Sequence, residues 1–216
     1  MPDNNERYYG TYCKLENRND TTEIKLDGNS VFVGNPAQLH VETHVTEAGK
    51  EKPRVIVARD EKMAIGFLPT GVAKRVIALS KKGWLVHAFP ALVVFDKLND
   101  SYWCEVALVA YPPEERAAFD PFVERLKERI AKGDHPEVAL SDKQLDRVIE
   151  TAGEWCDMPA APLPSISKGS ALYKTHRTQT ESLAKTASNH GKGCMVAVVA
   201  VLVVVVLVIL FLLGAF

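Results

Sequence analysis

Few residues in this chain have the types and spacing that chemistry requires. His40 and His44 stand four apart with Glu42 between them. On a helix that spacing would place two imidazoles on one face, ready for a metal ion. Residues 39–45 alternate instead: Leu39, Val41, Thr43 and Val45 point one way, and His40, Glu42 and His44 the other. That is the pattern of a half-buried strand, on which the two rings lie about 13 Å apart, too far for one ion. The triplet therefore reads as a polar strand face. His87 sits between Trp84 and Phe89 in an apolar run and reads as a satisfied core or rim histidine. A catalytic role for it would require a pocket around it and a displaced pKa. Asp and Glu number 27, yet no pair is isolated in an apolar setting as acid–base chemistry prefers. Gly-x-Gly-x-x-Gly, Walker, Gly-x-Ser-x-Gly and His-Glu-x-x-His patterns are absent. No catalytic residue, metal ligand or cofactor is assigned.

The four cysteines, Cys13, Cys104, Cys156 and Cys194, include no Cys-x-x-Cys pair. Their spacing excludes a zinc ribbon and suits reduced thiols rather than a disulfide scaffold.

The elements that must position these residues can be read from periodicity. Residues 22–26 and 30–33 flank Asp27-Gly28-Asn29 as a hairpin. Strands are expected over 39–45, 54–59 and 63–68. Thr70 then caps a helix with Val72, Ala73, Val76, Ile77 and Leu79 on one side, and Gly83 stops it. Strand character returns over 84–95, where Pro90 demands a bulge, an edge or two separate strands. It recurs over 102–111, with Cys104, Val106, Leu108 and Ala110 as the core face. Asp120-Pro121 reads as N-cap plus first residue of a helix through Ala131. Ser141-Asp142-Lys143-Gln144 is a capping box opening a second helix through Cys156, with Leu145, Val148, Ile149, Ala152 and Trp155 facing inward.

Ile65-Gly66-Phe67-Leu68-Pro69, followed by a helix holding Ala73, Ile77 and Leu79 and then Gly83 and a strand, is similar to the HIRAN domain. The preceding strand Arg54-Val55-Ile56-Val57-Ala58-Arg59 falls where that family has one, and the resemblance covers roughly residues 31–111. The family's Asn-Pro-x-Asp-x-Asn-Ala stretch has no counterpart here. The resemblance implies a small β-barrel and binding of single-stranded nucleic-acid ends. Lys74, Arg75, Lys81 and Lys82 are the candidate contacts to nucleic acid or another ligand; the same four also read as the wet face of their helix.

The C-terminal residues 195–216 contain no charged, amide or hydroxyl side chain. As a helix they would extend roughly 33 Å, the reach of a single membrane span. A buried core helix or a valine-rich strand is the other reading. Lys185, Lys192 and Cys194 flank the segment, and the excess of basic residues before it places the N-terminal head on the cytoplasmic side. The start of the chain lacks an apolar signal-peptide core. A tail-anchored, single-pass arrangement in a lipid bilayer follows. Net charge is −1 overall, divided into −5 on residues 1–157 and +4 on residues 158–194. The acidic balance of the head works against phosphate-driven nucleic-acid binding.

The expected architecture is α+β. A small, partly open β-barrel with one inserted helix occupies 1–111, a helical pair 112–157, a flexible basic stalk 158–194 and a transmembrane helix 195–216. Three functions remain open: a membrane-tethered binding or scaffolding module for a protein or small ligand, a HIRAN-like binder of nucleic-acid ends, and a membrane-tethered enzyme.

Overall fold

The two longest strands, Leu85–Asp96 (β5) and Ser101–Tyr111 (β6), pair as an antiparallel hairpin. Asp96 shapes the turn between them: its Oδ1 accepts the Leu98 N–H at 2.9 Å and its Oδ2 accepts the Asn99 side-chain amide at 2.8 Å. Pro90 cannot donate to the ladder, and the register slips between Pro90 and Leu92 as a bulge, one of the outcomes its position allowed. Tyr9–Lys14 (β1) adds to the far edge of β6, and Ser170–Lys174 (β7) to the far edge of β5. The resulting antiparallel sheet has the order β1-β6-β5-β7. A second antiparallel sheet, order β2-β3-β4, is built from Gln38–Val45 (β2), Glu51–Asp60 (β3) and Met63–Phe67 (β4). The computed structural model describes residues 7–18, 22–45 and 49–181.

Neither sheet closes into the expected barrel. Among the described residues, backbone pairing links them through isolated bridges, Glu16 with Phe67 at one side and Ala37 with Ala88 at the other. The far end of the β2–β3 pair, residues 41–45 with 51–54, is the exposed arm of this sheet, and Val41 and Val45, expected to face the core, are 55% and 53% exposed. A ladder needs successive residues to stay at hydrogen-bonding distance, and the arm's departure ends it after one pair.

Both faces of the four-stranded sheet are covered, so Trp103 through Tyr111 are all buried. One face, carrying Cys104, Val106 and Leu108, packs with Val55, Val57 and Ile65 of the second sheet. The helix Thr70–Lys81 (α1) completes that core with Ala73 and Val76. The other face, with Phe89, Ala107 and Val109, lies against Phe119, Phe122, Leu126 and Ile130 of the helix Arg116–Lys132 (α2). Leu145 and Val148 of the helix Asp142–Glu150 (α3) close this side. Only the first of these two faces was expected; alternation cannot reveal a strand sandwiched between layers, which reads as a continuous apolar run.

Several local expectations are corrected. Residues 22–33 form no hairpin: Asp27 instead caps a short 3-10 turn, Gly28–Ser30, its Oδ1 accepting the Asn29 N–H at 3.0 Å. Thr70 is the first helical residue, and Pro69 stands in the N-cap position with no side-chain cap. α2 begins at Arg116 and runs through Pro121. Asp120, expected as its cap, spends its carboxylate on Tyr111 and Arg116 instead. α3 ends at Glu150 rather than Cys156, because Ala152 and Gly153 both take positive φ. Its capping box forms, the Ser141 N–H donating to Gln144 Oε1 at 2.9 Å. Within the stretch read as stalk, Ile166 packs against Leu92, Val94 and Trp103, β7 joins the sheet, and the Lys174 ammonium donates to the Val31 carbonyl at 2.9 Å. Gly34 (φ +71°) is required where the chain passes α2, since a Cβ there would meet Ala131 at 2.7 Å.

No helix among the described residues is long and apolar enough to cross a membrane. This overturns the expected transmembrane helix, and with it the single-pass, tail-anchored and cytoplasmic placement, for the described chain. Residues 195–216, together with Lys185, Lys192 and Cys194, lie outside the described residues. Residues 1–177 form one compact unit, and Thr178 begins a second. In the second, the Thr178 N–H donates to Glu181 Oε2 at 3.1 Å and the Glu181 N–H to Thr178 Oγ1 at 3.3 Å, a reciprocal cap.

Phe122 is fully buried beneath the sheet and makes edge contacts with both Tyr8 and Phe119. Truncation to alanine should therefore cost about 3–5 kcal/mol, read from the urea midpoint at unchanged slope.

Candidate functional site

The turn Leu68-Pro69-Thr70 carries the chain from β4 into α1. Pro69 has no N–H to offer and its carbonyl accepts the Ala73 N–H at 2.9 Å. The amides of Thr70, Gly71 and Val72 precede the first intrahelical bond, and no acidic side chain occupies that turn. They stand at the positive end of the helix dipole. A cleft of about 510 Å³ opens there, lined by Thr70 and Ala73 of α1, Glu16 and Arg18 after β1, and His44, Lys52 and Arg54 of the arm.

The arm presents these side chains because strand neighbours alternate. His44 pairs across the ladder with Lys52, and Glu42 with Arg54, so all four share one face. The Arg54 guanidinium lies 5.0 Å over the Phe67 ring and donates to Glu42 Oε2 from Nη2 at 2.9 Å. His44 Nδ1 sits 2.9 Å from the Lys52 carbonyl, which makes Nδ1 the protonated nitrogen. Of the polar strand face read from His40, Glu42 and His44, His44 lines the cleft and Glu42 holds Arg54. No group of His, Cys, Asp and Glu among the described residues is arranged to hold a metal ion.

Of the four candidate contacts on α1, Lys74, Lys81 and Lys82 are exposed, and Arg75 is half-buried with its guanidinium 5.6 Å from the Tyr9 ring. Lys81 and Lys82 lie about 10 Å of helix beyond Lys74, at the end away from the cleft. The structure does not gather the four into one patch. Arg18, Lys52 and Arg54 were not singled out from the sequence. Their signal was weak, because Arg18 lies far in sequence from Lys52 and Arg54 of β3, and only the fold brings them together.

A second cleft of about 500 Å³ lies between β5 and the first turns of α2. His87 Nε2 is 2.9 Å from the Tyr111 hydroxyl. That hydroxyl donates to Asp120 Oδ1 at 2.6 Å, and Arg116 Nε donates to Asp120 Oδ2 at 2.7 Å. Burial pushes the His87 pKa below its ordinary value; Lys127 and Arg116 press the same way, against Asp120 and Glu124. Burial also raises the Tyr111 pKa, reinforced by the hydrogen bond to Asp120. For Asp120 burial acts upward, but the bonds from Tyr111 and Arg116 prevail and the pKa falls.

The third polar cluster is buried. Glu105 interrupts the apolar run of β6, and its Oε2 is 2.9 Å from His135 Nε2, with both side chains under 10% exposed. Tyr12 stacks on the His135 ring at 3.9 Å and donates its hydroxyl to the Pro136 carbonyl at 2.8 Å. This lock ties the loop after α2 to the sheet. A lone carboxylate inside an apolar strand demands a partner, and that was the missed signal in the sequence. Cys13 and Cys104 are free and buried. Burial lifts the Cys13 thiol to about 12 and Cys104 higher still, which leaves both unreactive.

No family model, curated protein or solved structure matches this chain.

Burial by itself lowers the His135 pKa, but the hydrogen bond and charge of Glu105 outweigh it, and the net shift is upward. The imidazolium's contribution is then complete below about pH 6.5, the unfolded value, and is lost as pH rises through the higher folded pKa. Glu105→Gln should cost about 3–5 kcal/mol at pH 6 and less at pH 9, read as urea stability of both proteins at both values. A cost equal at the two pH values would show that no proton is shared in the pair.

Proposed function

We propose that the protein is a binding module whose ligand carries a compact anionic group, a phosphate or carboxylate, seated at the N-terminus of α1. One observation supports this above others: Arg18, Lys52 and Arg54 converge with the uncapped first turn of α1 on a single cleft. Uncapped amides and a helix dipole favour negative charge, and a guanidinium supplies paired donors to planar or tetrahedral anions. Arg54 is held by Glu42 and stacked on Phe67 before any ligand arrives, which reduces the entropy lost on binding. Glu16 on the same wall excludes ligands whose negative charge extends that way.

A nucleic-acid end is a narrower version of the same reading. It would bring a phosphate to this cleft, but stacking of bases needs an accessible ring, and Phe67 is only 2% exposed. The small anionic ligand is therefore favoured.

Calorimetric titration of the full-length chain with inorganic pyrophosphate at low ionic strength should show saturable binding that weakens as salt is added. Arg54→Ala should weaken it roughly 10- to 100-fold, the loss of one charge-assisted contact. The triple substitution of Lys74, Lys81 and Lys82 by alanine should leave it within about 3-fold, since these are exposed positions outside the cleft lining. Saturable binding of a short single-stranded oligonucleotide, abolished by the triple substitution and not by Arg54→Ala, would replace this reading with the nucleic-acid one. Absence of any binding at low salt would remove both.

A further inference from the structure

We propose that the cleft between β5 and the first turns of α2 is a hydrolytic site. Nδ1 of His87 takes a proton from water as that water attacks a small carboxylic ester held against Leu85, Pro121 and Val123. The site is separate from the anion cleft and does not depend on it.

The tautomer of His87 follows from its partners. The Tyr111 hydroxyl gives its proton to Asp120 at 2.6 Å, so toward His87 it can only accept. Nε2, 2.9 Å away, must then carry the ring proton, and Nδ1 is left with a lone pair. Nδ1 makes no hydrogen bond to the described protein and keeps access to solvent, and His87 lines the cleft. A chain from carboxylate through hydroxyl to imidazole orients the ring as a triad does, with the reactive nitrogen on the outer side.

The lining decides which chemistry the base can assist. Leu85, Pro121 and Val123 offer an apolar wall, and no Ser, Thr or Cys lines the cleft. Tyr111 is fully buried and committed on both sides of its oxygen. The nucleophile therefore has to be water. Arg116 uses Nε for Asp120, and its two Nη groups make no bond to the described protein on a side chain 68% exposed. They are placed at the rim to receive the negative charge that develops on a carbonyl oxygen.

The step balances. The water oxygen bonds to the acyl carbon while one water proton passes to Nδ1. The C–O bond to the leaving alcohol then breaks, and the proton on His87 moves to that departing oxygen. One ester and one water give one acid and one alcohol, and His87 returns to neutral. The transient imidazolium is balanced by Asp120 through the Tyr111 hydroxyl. The charged and titratable groups facing His87 are Asp120, Glu124, Arg116 and Lys127 of α2 together with Tyr111 of β6. Burial leads this set in lowering the His87 pKa, which keeps the basic form populated at neutral pH.

Hydrolysis of p-nitrophenyl butyrate by the full-length chain tests the assignment. Saturable turnover is expected, rising with pH to a plateau whose midpoint lies below 6.5, the ordinary histidine value. His87→Gln, which retains an amide donor for Tyr111, should lower kcat about 100-fold or more. Tyr111→Phe should shift the midpoint and lower kcat with KM nearly unchanged, marking Tyr111 as a positioning residue. Turnover unchanged in His87→Gln, or no turnover above buffer in the parent protein, would overturn the proposal. Should His87→Gln lose its circular dichroism spectrum, diethyl pyrocarbonate treatment of the parent protein replaces it. Turnover lost in step with His87 modification, located by peptide mapping, supports the site; turnover surviving complete modification overturns it.

Discussion

Everything in this molecule is arranged around a strand that water cannot reach. β6 has a neighbour on each edge, α2 on one face and the second sheet on the other, so its side chains from Trp103 to Tyr111 are buried. A polar side chain placed there must bring its own partner or lose the cost of leaving water. Two occur on the α2 side, Glu105 and Tyr111, and each builds a network around itself. Glu105 takes His135 from the loop after α2, while Tyr111 takes Asp120 from the helix itself and His87 from the neighbouring strand. The position of α2 is thus fixed by hydrogen bonds at two points along one strand as well as by packing.

The same demand explains Pro121 inside α2. A proline at the sixth residue of a helix removes one intrahelical bond and would ordinarily mark a start. Asp120 would have been a good cap, but a capping carboxylate cannot also serve the Tyr111 hydroxyl. The buried phenol donates to this carboxylate at 2.6 Å, and the helix begins earlier, at Arg116, after a 3-10 turn over Pro113–Glu115. Tertiary need outweighs a local signal of about 1 kcal/mol.

Local chemistry was the part legible in the sequence. The α1 face of Ala73, Val76 and Leu79, the stop at Gly83, the bulge at Pro90 and the Ser141 capping box all depend on residues within a few positions of one another. The features that escaped depend on distant partners. β1 and β7 join the sheet from opposite ends of the described chain, and neither carries a pattern stronger than its polar surroundings. The barrel implied by the resemblance to the HIRAN domain fails because the Val41–Val45 arm extends beyond the core, although alternation made it look half-buried. The cleft at α1 was not legible: the sequence pointed to Lys74, Arg75, Lys81 and Lys82, whereas Arg18, Lys52 and Arg54 meet the first turn of α1 only through tertiary structure.

The two histidines served by β6 show how small a difference in geometry reverses a proton equilibrium. Both rings are largely withdrawn from water, and for both, burial is the largest influence on the pKa and acts downward. His135 meets the carboxylate of Glu105 directly, at 2.9 Å, and its pKa ends above the ordinary value. His87 reaches the carboxylate of Asp120 only through the Tyr111 oxygen, and Arg116 already neutralises that carboxylate from the other side. The attraction is weakened by distance and by the competing guanidinium, so burial prevails and the pKa ends below the ordinary value. One histidine is therefore suited to holding a loop by charge, and the other to remaining neutral with a nitrogen open to a cleft. The hydroxyl inserted between ring and carboxylate, and the guanidinium beyond it, separate the second case from the first.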